Sequence, residues 1–219
     1  IASDIYAFSY KTNKVIFFEN DEWAIISKDN YEIFDSSGNK LNKKIKELSL
    51  LKDDAELRNY EHFMIKEIME EPEAVKRILL SLENEQKELF NELINLIKTS
   101  NKIIFVAAGT SYNASLLGFY YLNKCNIETQ VVIASELERL KFVDNNSLII
   151  AFSQSGETMD VIDALRLWKE KGARIASLVN VSHSTIERMS DISINILAGQ
   201  EISVASTKSF VNQSLILLR

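Results

Sequence analysis

The stretch SLIIAFSQSGET, residues 147–158, decides the fold class of this chain. Its first half is an uninterrupted apolar run, which predicts a short buried strand, and the residues after it follow a helical period. The polar turn between strand and helix holds small hydroxyl residues and one glycine, Gly156. Such a turn leaves backbone N–H groups free at the positive end of a helix dipole, so it favours the binding of an anion.

Apolar runs and helical patterns alternate from Ser100 to the last residue. This alternation is typical of βα units that share a parallel sheet. The predicted strands are 102–107, 128–133, 147–152, 173–179 and 191–197, and the predicted helices are 111–124, 134–140, 157–171, 184–189 and 204–219. We therefore expect an α/β fold, a five-stranded parallel doubly wound sandwich. Its ligand site should lie at the carboxyl ends of the strands, beside a topological switch point.

Residues 51–99 carry long helical patterns rich in Glu and Lys, which predict a helical linker. The only proline, Pro72, is favourable at the first position of a helix, so we expect one helix to end and another to begin there. The last linker helix has an apolar stripe that predicts packing on a core, and it consists of Leu89, Leu93, Ile94 and Ile97.

Residues 1–50 carry short β signals at 14–19, 22–27 and 31–36, with turn residues between them. This pattern predicts a β-meander. Three short strands do not close a core alone, so we expect them to be the edge of a larger sheet. Because the chain begins at Ile1 rather than Met and ends within a helical pattern, we expect a piece of a longer protein that is truncated in its last helix.

The composition excludes several classes of partner. With 46% apolar residues and a net charge of −6, the chain has the profile of a globular protein without a basic surface. We therefore expect no nucleic-acid and no membrane partner, and any bound phosphate must be held by local geometry. The lone Cys125 and the lack of a signal peptide indicate a reducing compartment, the cytoplasm. His62 and His183 share no ligand motif, so we expect no metal site.

Small polar residues follow three of the predicted strands. The three joints are Ala108-Gly109-Thr110-Ser111, Ser153-Gln154-Ser155-Gly156-Glu157-Thr158, and residues 201–208, EISVASTK. Hydroxyl residues at these positions either cap a helix or bind an anion, and two joints on one edge favour a shared ligand. Glu157 should turn away from a bound phosphate. Lys208 either neutralises a phosphate or is a solvated helix lysine. Neither of the first two joints has the glycine spacing of a nucleotide-binding motif, which disfavours nucleotide binding. The motif G-x-S-x-G of a hydrolase nucleophile elbow is also absent.

The three joints together, AGTS, SQSGET and EISVASTKSF, resemble the sugar isomerase (SIS) domain. More narrowly, they resemble the first such domain of the glutamine:fructose-6-phosphate amidotransferases, the glucosamine-6-phosphate synthase family. The stretch YEHFMIKEIMEEP at 60–72 resembles the linker of that family, and ASDIYAF and VIFFENDEWAII resemble the end of its glutaminase domain. The resemblance implies a glutaminase-type β tail at 1–50, a helical linker at 51–99 and the first SIS domain at 100–219.

The resemblance also implies a ligand and its contacts. Fructose 6-phosphate would be bound by Thr110, Ser111, Ser153, Gln154, Ser155 and Thr158, with Val204 and Ser206 on the sugar. Ala108 departs from the family pattern, in which many members have cysteine there. No cofactor is implied, and the family's catalytic cysteine, lysine, glutamate and histidine lie outside this chain. Glutamine would enter through a missing domain, and a histidine from a neighbouring subunit implies a homodimer.

Two alternatives remain open. The first is a non-catalytic SIS module that senses a sugar phosphate. The glutaminase tail and VASTK favour the enzyme, but a sensing module can retain both. The second is a phosphosugar isomerase without amidation. For the amidotransferase itself, we expect this fragment to bind substrate but to be inactive alone, because the base for proton transfer lies elsewhere.

Overall fold

The fold is that of a computed structural model, which describes residues 1–2, 11–19, 21–47, 57, 59–139 and 143–219, without the side chains of 137–139. The chain divides into two compact units, Ile1–Glu56 and Leu57–Arg219. The predicted division at 50 and 99 differs from this one, because the helices of the predicted linker lie in the same compact unit as the residues after them.

The amino-terminal unit contains five short strands, β1 (Lys14–Val15), β2 (Trp23–Ile26), β3 (Tyr31–Phe34), β4 (Lys40–Leu41) and β5 (Lys46–Glu47). Strands β2, β3 and β4 form an antiparallel meander, and β1 pairs with β5 in a separate ribbon. The indole of Trp23 stacks on Phe34 with ring centroids 4.5 Å apart, and its Nε1 donates to the Asp35 carbonyl at 2.9 Å.

The meander is therefore present, but one of its three strands was wrongly assigned. The predicted strand 14–19 shrinks to Lys14–Val15 and pairs with Lys46 and Glu47, more than thirty residues along the chain. The third strand of the meander is Lys40–Leu41, which follows a turn at Gly38 with φ +82°. A short β signal in the sequence does not show which distant strand it pairs with, because many short apolar runs carry the same signal.

The carboxyl-terminal unit begins with two helices and continues as alternating strands and helices. Its helices are α1 (Phe63–Glu83), α2 (Lys87–Thr99), α3 (Gly109–Lys124), α4 (Met159–Glu170), α5 (Thr185–Met189) and α6 (Lys208–Leu218). Its strands are β6 (Lys102–Ala107), β7 (Thr129–Ile133), β8 (Ser147–Ser153), β9 (Arg174–Val179) and β10 (Ile192–Asn195). A short 3₁₀ helix, Ala134–Arg139, follows β7. All five predicted strands are thus confirmed.

The five strands form one parallel sheet in the order β10-β9-β8-β6-β7. Side chains alternate between its two faces, and each face has its own apolar core. Helices α1, α2, α3 and α6 cover the face that carries Phe105 and Phe152. Helices α4 and α5 cover the other face, where Trp168 is fully buried. The predicted doubly wound α/β sandwich is confirmed.

The predicted helix break at Pro72 is wrong. Helix α1 runs without interruption from Phe63 to Glu83 with Pro72 inside it, and the chain turns instead between Asn84 and Gln86. Pro72 is exposed, so water can satisfy the carbonyl that loses its N–H partner. Buried residues on both sides of Pro72, from Lys66 to Ile78, hold the two halves of the helix on the same core.

Other helix boundaries shift by a few residues. Helix α6 begins at Lys208 rather than 204, α4 begins at Met159 rather than 157, and the segment after β7 is a 3₁₀ helix. The apolar stripe of α2 is centred on Phe90, Leu93 and Leu96, and Leu89 is exposed.

Candidate functional site

The candidate site lies where the chain reverses its direction of winding. Strands β6 and β8 are neighbours, with Ala107 opposite Phe152 at their carboxyl ends. Helix α3, which follows β6, lies on one face of the sheet, and α4, which follows β8, lies on the other. The two joints predicted to bind a ligand therefore flank one topological switch point, where open α/β sheets bind their ligands.

The turn after β8 is held in shape by its own hydroxyl groups. The Ser153 Oγ accepts from the Gly156 N–H at 3.0 Å and lies 2.9 Å from the Thr158 Oγ1. The Ser155 Oγ accepts from the Glu157 N–H at 3.1 Å. Gly156 has φ +68°, a conformation that glycine adopts without the steric cost of a side chain. The turn therefore has a defined conformation that its own side-chain hydrogen bonds stabilise.

The turn after β6 is more open. Gly109 has φ +56°, and a Cβ atom added there would meet no atom within 4 Å. Thr110 and Ser111 lie in the first turn of α3, the former half-buried and the latter buried. Ala108, at the N-cap of α3, forms no side-chain cap, and neither does Thr158 at the N-cap of α4. Both helices thus direct uncapped N-termini to the switch point, which disfavours the alternative that these hydroxyls only cap helices.

Glu157 turns toward a different helix. Its Oε1 accepts from the Thr185 N–H at 2.7 Å, at the start of α5. Its side chain is thereby engaged away from the first turn of α4. This is the orientation expected for a phosphate site, because a carboxylate close to a phosphate would repel it.

The third joint is organised differently from the first two. Lys208 is 1% exposed, and its Nζ donates to Glu70 at 2.7 Å and to the Gln200 carbonyl at 3.0 Å. Both alternatives for Lys208, a phosphate ligand and a solvated lysine, are therefore wrong. Burial alone would raise the pKa of Glu70, but hydrogen bonding and charge attraction from Lys208, with a smaller contribution from Lys66, hold that pKa below its ordinary value.

Glu201 occupies the positive end of α6. Its Oε1 accepts from the backbone N–H groups of Thr207 at 2.8 Å and Ser209 at 3.0 Å. A carboxylate at this position already takes two of the N–H groups of the helix terminus, which disfavours a phosphate there. Val204 is fully exposed and Ser206 is half-buried on the segment before the helix. Helix α6, which follows this segment, packs on α3, whose first turn holds Thr110 and Ser111.

Two residues near the switch point were missed in the sequence. Asn180 follows β9, and its N–H donates to the Gln154 carbonyl at 3.2 Å while its side chain bonds Ala198 N and Gly199 O. Ser184 lies against Gly156, and its buried Oγ has no hydrogen-bond partner among the described residues. Asn180 could have been found, because it follows a buried strand at the same sheet edge as Ser153.

The two histidines and the cysteine are not among the residues predicted to bind the ligand. His62 is the N-cap residue of α1, Cys125 is the exposed C-cap residue of α3, and His183 has a left-handed backbone with φ +63°. Within the described ranges, no three His, Cys, Asp or Glu side chains gather in a way that could hold a metal ion. No helix of the described chain has the length and hydropathy to cross a membrane.

Comparison with protein families assigns the class of this fold and site. The SIS domain family matches residues 96–218, more than half of the chain, and these residues include the whole parallel sheet. The chain therefore belongs to the SIS domain family.

Two similar curated relatives carry the same name. The chain is 36% identical over 222 residues to the glutamine–fructose-6-phosphate aminotransferase (isomerizing) of Thermotoga maritima, covering 99% of the chain and 37% of the relative. It is 40% identical over 220 residues to the same enzyme of Sulfolobus acidocaldarius, covering 100% of the chain and 37% of the relative. The chain thus spans little more than a third of the curated relatives that it matches.

A solved structure agrees with this assignment. The C-terminal domain of glucosamine-fructose-6-phosphate aminotransferase from Francisella tularensis superposes with a TM-score of 0.65 at 36% identity. The match covers 75% of this chain and 47% of that one.

Proposed function

We propose that this chain is the fructose-6-phosphate-binding part of an amidotransferase that makes glucosamine 6-phosphate. The observation that carries the proposal is the pair of uncapped helix N-termini, at Ala108 and Thr158, on the two sides of one switch point. The identity of 36–40% to named aminotransferases along nearly the whole chain supports the same substrate. The full activity belongs to a protein longer than the residues described.

The phosphate is assigned to the joints at β6 and β8. Neither AGTS nor SQSGET contains a lysine or arginine, so backbone N–H groups, hydroxyls and two helix dipoles would supply the attraction. The donors come from Thr110, Ser111, Ser153, Gln154, Ser155 and Thr158. The sugar is assigned to Val204 and Ser206, on the segment before α6.

The chemistry follows from the substrates. Fructose 6-phosphate and glutamine give glucosamine 6-phosphate and glutamate, so ammonia must reach the ketone carbon and a proton must move between adjacent carbons. That proton transfer needs a base with a suitable pKa held near the sugar. The part assigned to this chain is to bind and orient the phosphate and the sugar. No metal or organic cofactor is required.

Ser155→Leu tests the binding site. A leucine side chain on the turn after β8 fills the space assigned to the phosphate and removes the hydroxyl that accepts from the Glu157 N–H. We expect calorimetry to show no measurable heat of fructose 6-phosphate binding, with an unchanged circular dichroism spectrum. Ser37→Leu, at an exposed serine of the amino-terminal unit, should leave binding intact. Undiminished affinity in Ser155→Leu would contradict the proposed site.

Assay of the full-length gene product tests the reaction. Glutamine-dependent formation of glucosamine 6-phosphate supports the amidotransferase. Sugar-phosphate binding without product supports the sensing module, and isomerisation without glutamine supports the phosphosugar isomerase. An upstream reading frame that begins with Met-Cys would indicate the glutaminase.

We also propose a homodimer in the cytoplasm, with glutamine entering through a further domain. The dimer rests on the resemblance to enzymes that borrow a histidine from a neighbouring subunit. Sedimentation analysis of the full-length product checks it, and a monomer at micromolar concentration would contradict it.

A further inference from the structure

Helix α1 buries charge on the side that faces the fold. Lys66 and Glu67 are each 2% exposed, whereas Ile65, Ile68 and Met69 on the same turns are exposed. Burying an ionised carboxylate is costly unless hydrogen bonds and opposite charge compensate it. The helix buries Glu67 although neighbouring apolar side chains stay exposed. The reason for this burial must therefore lie in the groups that Glu67 contacts.

Glu67 holds one segment of the chain through both carboxylate oxygens. Its Oε1 accepts from the backbone N–H groups of Ile202 at 2.7 Å and Ser203 at 3.0 Å. Its Oε2 accepts from the Ser203 hydroxyl. The Thr207 Oγ1 lies 3.3 Å from the same oxygen, but its one proton can be donated either to Glu67 or to Glu201. These donors belong to residues 202–207, which we call the 202–207 loop.

Glu201 fixes the carboxyl end of the same loop. It accepts from the N–H and Oγ1 of Thr207, at 2.8 and 3.1 Å, and from the N–H and hydroxyl of Ser209. Apolar burial contributes little to the loop, because Ile202 is 41% exposed and Val204 is fully exposed. The conformation of the loop therefore depends on two carboxylates, and one of them, Glu67, comes from α1, more than a hundred residues earlier in the chain.

We propose that Glu67 is a positioning residue for sugar binding. It fixes the 202–207 loop in the conformation that directs Val204 and Ser206 to the sugar, and it does so without touching the ligand. This inference rests on the proposed function, since the sugar contacts of the loop are part of that proposal. Helix α1 thereby becomes part of the binding machinery and not only a connection between units.

Glu67→Gln is the variant that tests the proposal. The amide keeps the size of the side chain and one acceptor oxygen, but its NH₂ group cannot accept, so the donors at one of the two carboxylate oxygens lose their acceptor. We expect the affinity for fructose 6-phosphate to fall about tenfold, the loss typical of one charge-assisted hydrogen bond. Hydrogen exchange at residues 202–207 should speed up about tenfold, with exchange in β8 unchanged.

Glu70→Gln is the matched control on the same helix. It removes a carboxylate that pairs with Lys208 and Lys66, whereas the carboxylates that accept from the 202–207 loop are those of Glu67 and Glu201. We expect it to lower the free energy of unfolding while leaving sugar affinity and exchange in the loop unchanged. Equal loss of affinity in both variants would mean a general loss of stability and would overturn the positioning role.

The two readouts separate this inference from the proposed function. Unchanged exchange at 202–207 in Glu67→Gln overturns the positioning role, whatever the ligand. Faster exchange with unchanged affinity overturns the link to sugar binding. If the unaltered chain gives no heat with fructose 6-phosphate, the proposed function fails, and the role of the loop in sugar binding fails with it. Faster exchange in Glu67→Gln would then show only that Glu67 stabilises the 202–207 loop.

Discussion

The close contact between Gly156 and Ser184 fixes the turn at the centre of the candidate site. A Cβ atom built on Gly156 would lie 2.0 Å from the Ser184 Oγ and 2.4 Å from its Cβ. Rotation of the serine side chain cannot relieve the second contact, because the Cβ does not move with χ1. The positive φ of Gly156 adds a backbone cost to any side chain there. Glycine is therefore required at this position for two independent reasons.

Gly156→Ala should lower the free energy of unfolding by about 2 to 4 kcal/mol, the sum of overpacking and left-handed backbone strain. Urea titration measures it. Gly172→Ala is the control, because Gly172 also has a positive φ, +82°, but its nearest neighbour, the Asn145 Cβ, would be 3.4 Å away. Gly172→Ala should cost about 1 kcal/mol.

A double variant separates the two reasons. Ser184→Gly removes both clashing atoms, so Gly156→Ala should cost less in that background, by about the overpacking share of 1 to 3 kcal/mol. Strictly additive effects of the two substitutions would show that the clash is absorbed by movement of the backbone.

At the residue scale, the sequence revealed hydroxyls and glycines better than buried charges. Ser153, Ser155 and Gly156 could be singled out because small polar residues directly after an apolar strand either cap the next helix or bind a ligand, and the structure places them in the turn after β8. Glu67 and Glu201 were missed, because carboxylates in Glu-rich segments are indistinguishable from solvated ones until their donors are located. The donors of Glu67 lie more than a hundred positions away in the sequence.

An ion pair between Glu70 on α1 and the buried Lys208 on α6 joins these two helices. Lys208 lies 2.7 Å from the Glu70 Oε2, and Lys66 lies 3.4 Å from the Oε1. Glu70 has a lowered pKa, so its charged form is favoured by folding. It therefore stabilises the fold at pH values above its ordinary pKa of 4.5, and that stability is lost as the pH falls through the lowered pKa of the folded state.

Lys208→Met should lower the free energy of unfolding at pH 7 by about 2 to 3 kcal/mol, because it leaves Glu70 with a weaker partner. The difference from the unaltered chain should shrink as the pH falls from 4.5 through the lowered pKa that Glu70 has in the folded state. Urea titrations between pH 3 and pH 7 measure both effects.

The exposed pair of Arg166 and Asp163 on α4 provides the control for Lys208→Met. Its side chains are 42% and 58% exposed, so Arg166→Met should cost under about 0.5 kcal/mol at any of these pH values. A similar cost for both substitutions would contradict a special role for the buried pair.

At the element scale, the parallel sheet was predictable and the helix limits were not. Strands such as β6 and β8 are buried on both faces, so they read as continuous apolar runs with clear ends. The sequence predicted a break in helix α1 at Pro72, because an internal proline destabilises a helix and no local pattern indicates that the helix continues. The tertiary contacts on both sides of Pro72 decide the outcome, and they are absent from the local pattern.

At the scale of the whole molecule, the structure groups α1 and α2 with the sheet. Residues on these helices, among them Ile78, Leu82, Phe90 and Leu93, belong to the core on one face of the sheet. The compact unit that contains the sheet accordingly begins at Leu57. A domain boundary at Ser100 would divide this core, although the sequence changes character there.

Two fragments test the boundary. Residues 57–219 should fold cooperatively, because the fragment retains the cores on both faces of the sheet. Residues 100–219 should not fold, because the core would lose buried side chains worth about 10 kcal/mol, comparable with the whole stability of a domain. Circular dichroism during urea titration distinguishes the two. A cooperative transition in the shorter fragment would support the predicted boundary at 100.

The placement of the two tryptophans gives each unit its own optical reporter. Trp23, in the meander, is 46% exposed, so water relaxes around its excited indole and shifts the emission to the red. Trp168 is fully buried beneath the sheet, and its Nε1 has no partner among the described residues, so its emission should be blue-shifted. Fluorescence at two wavelengths therefore follows the unfolding of the two units separately, in the unaltered chain and without any attached label.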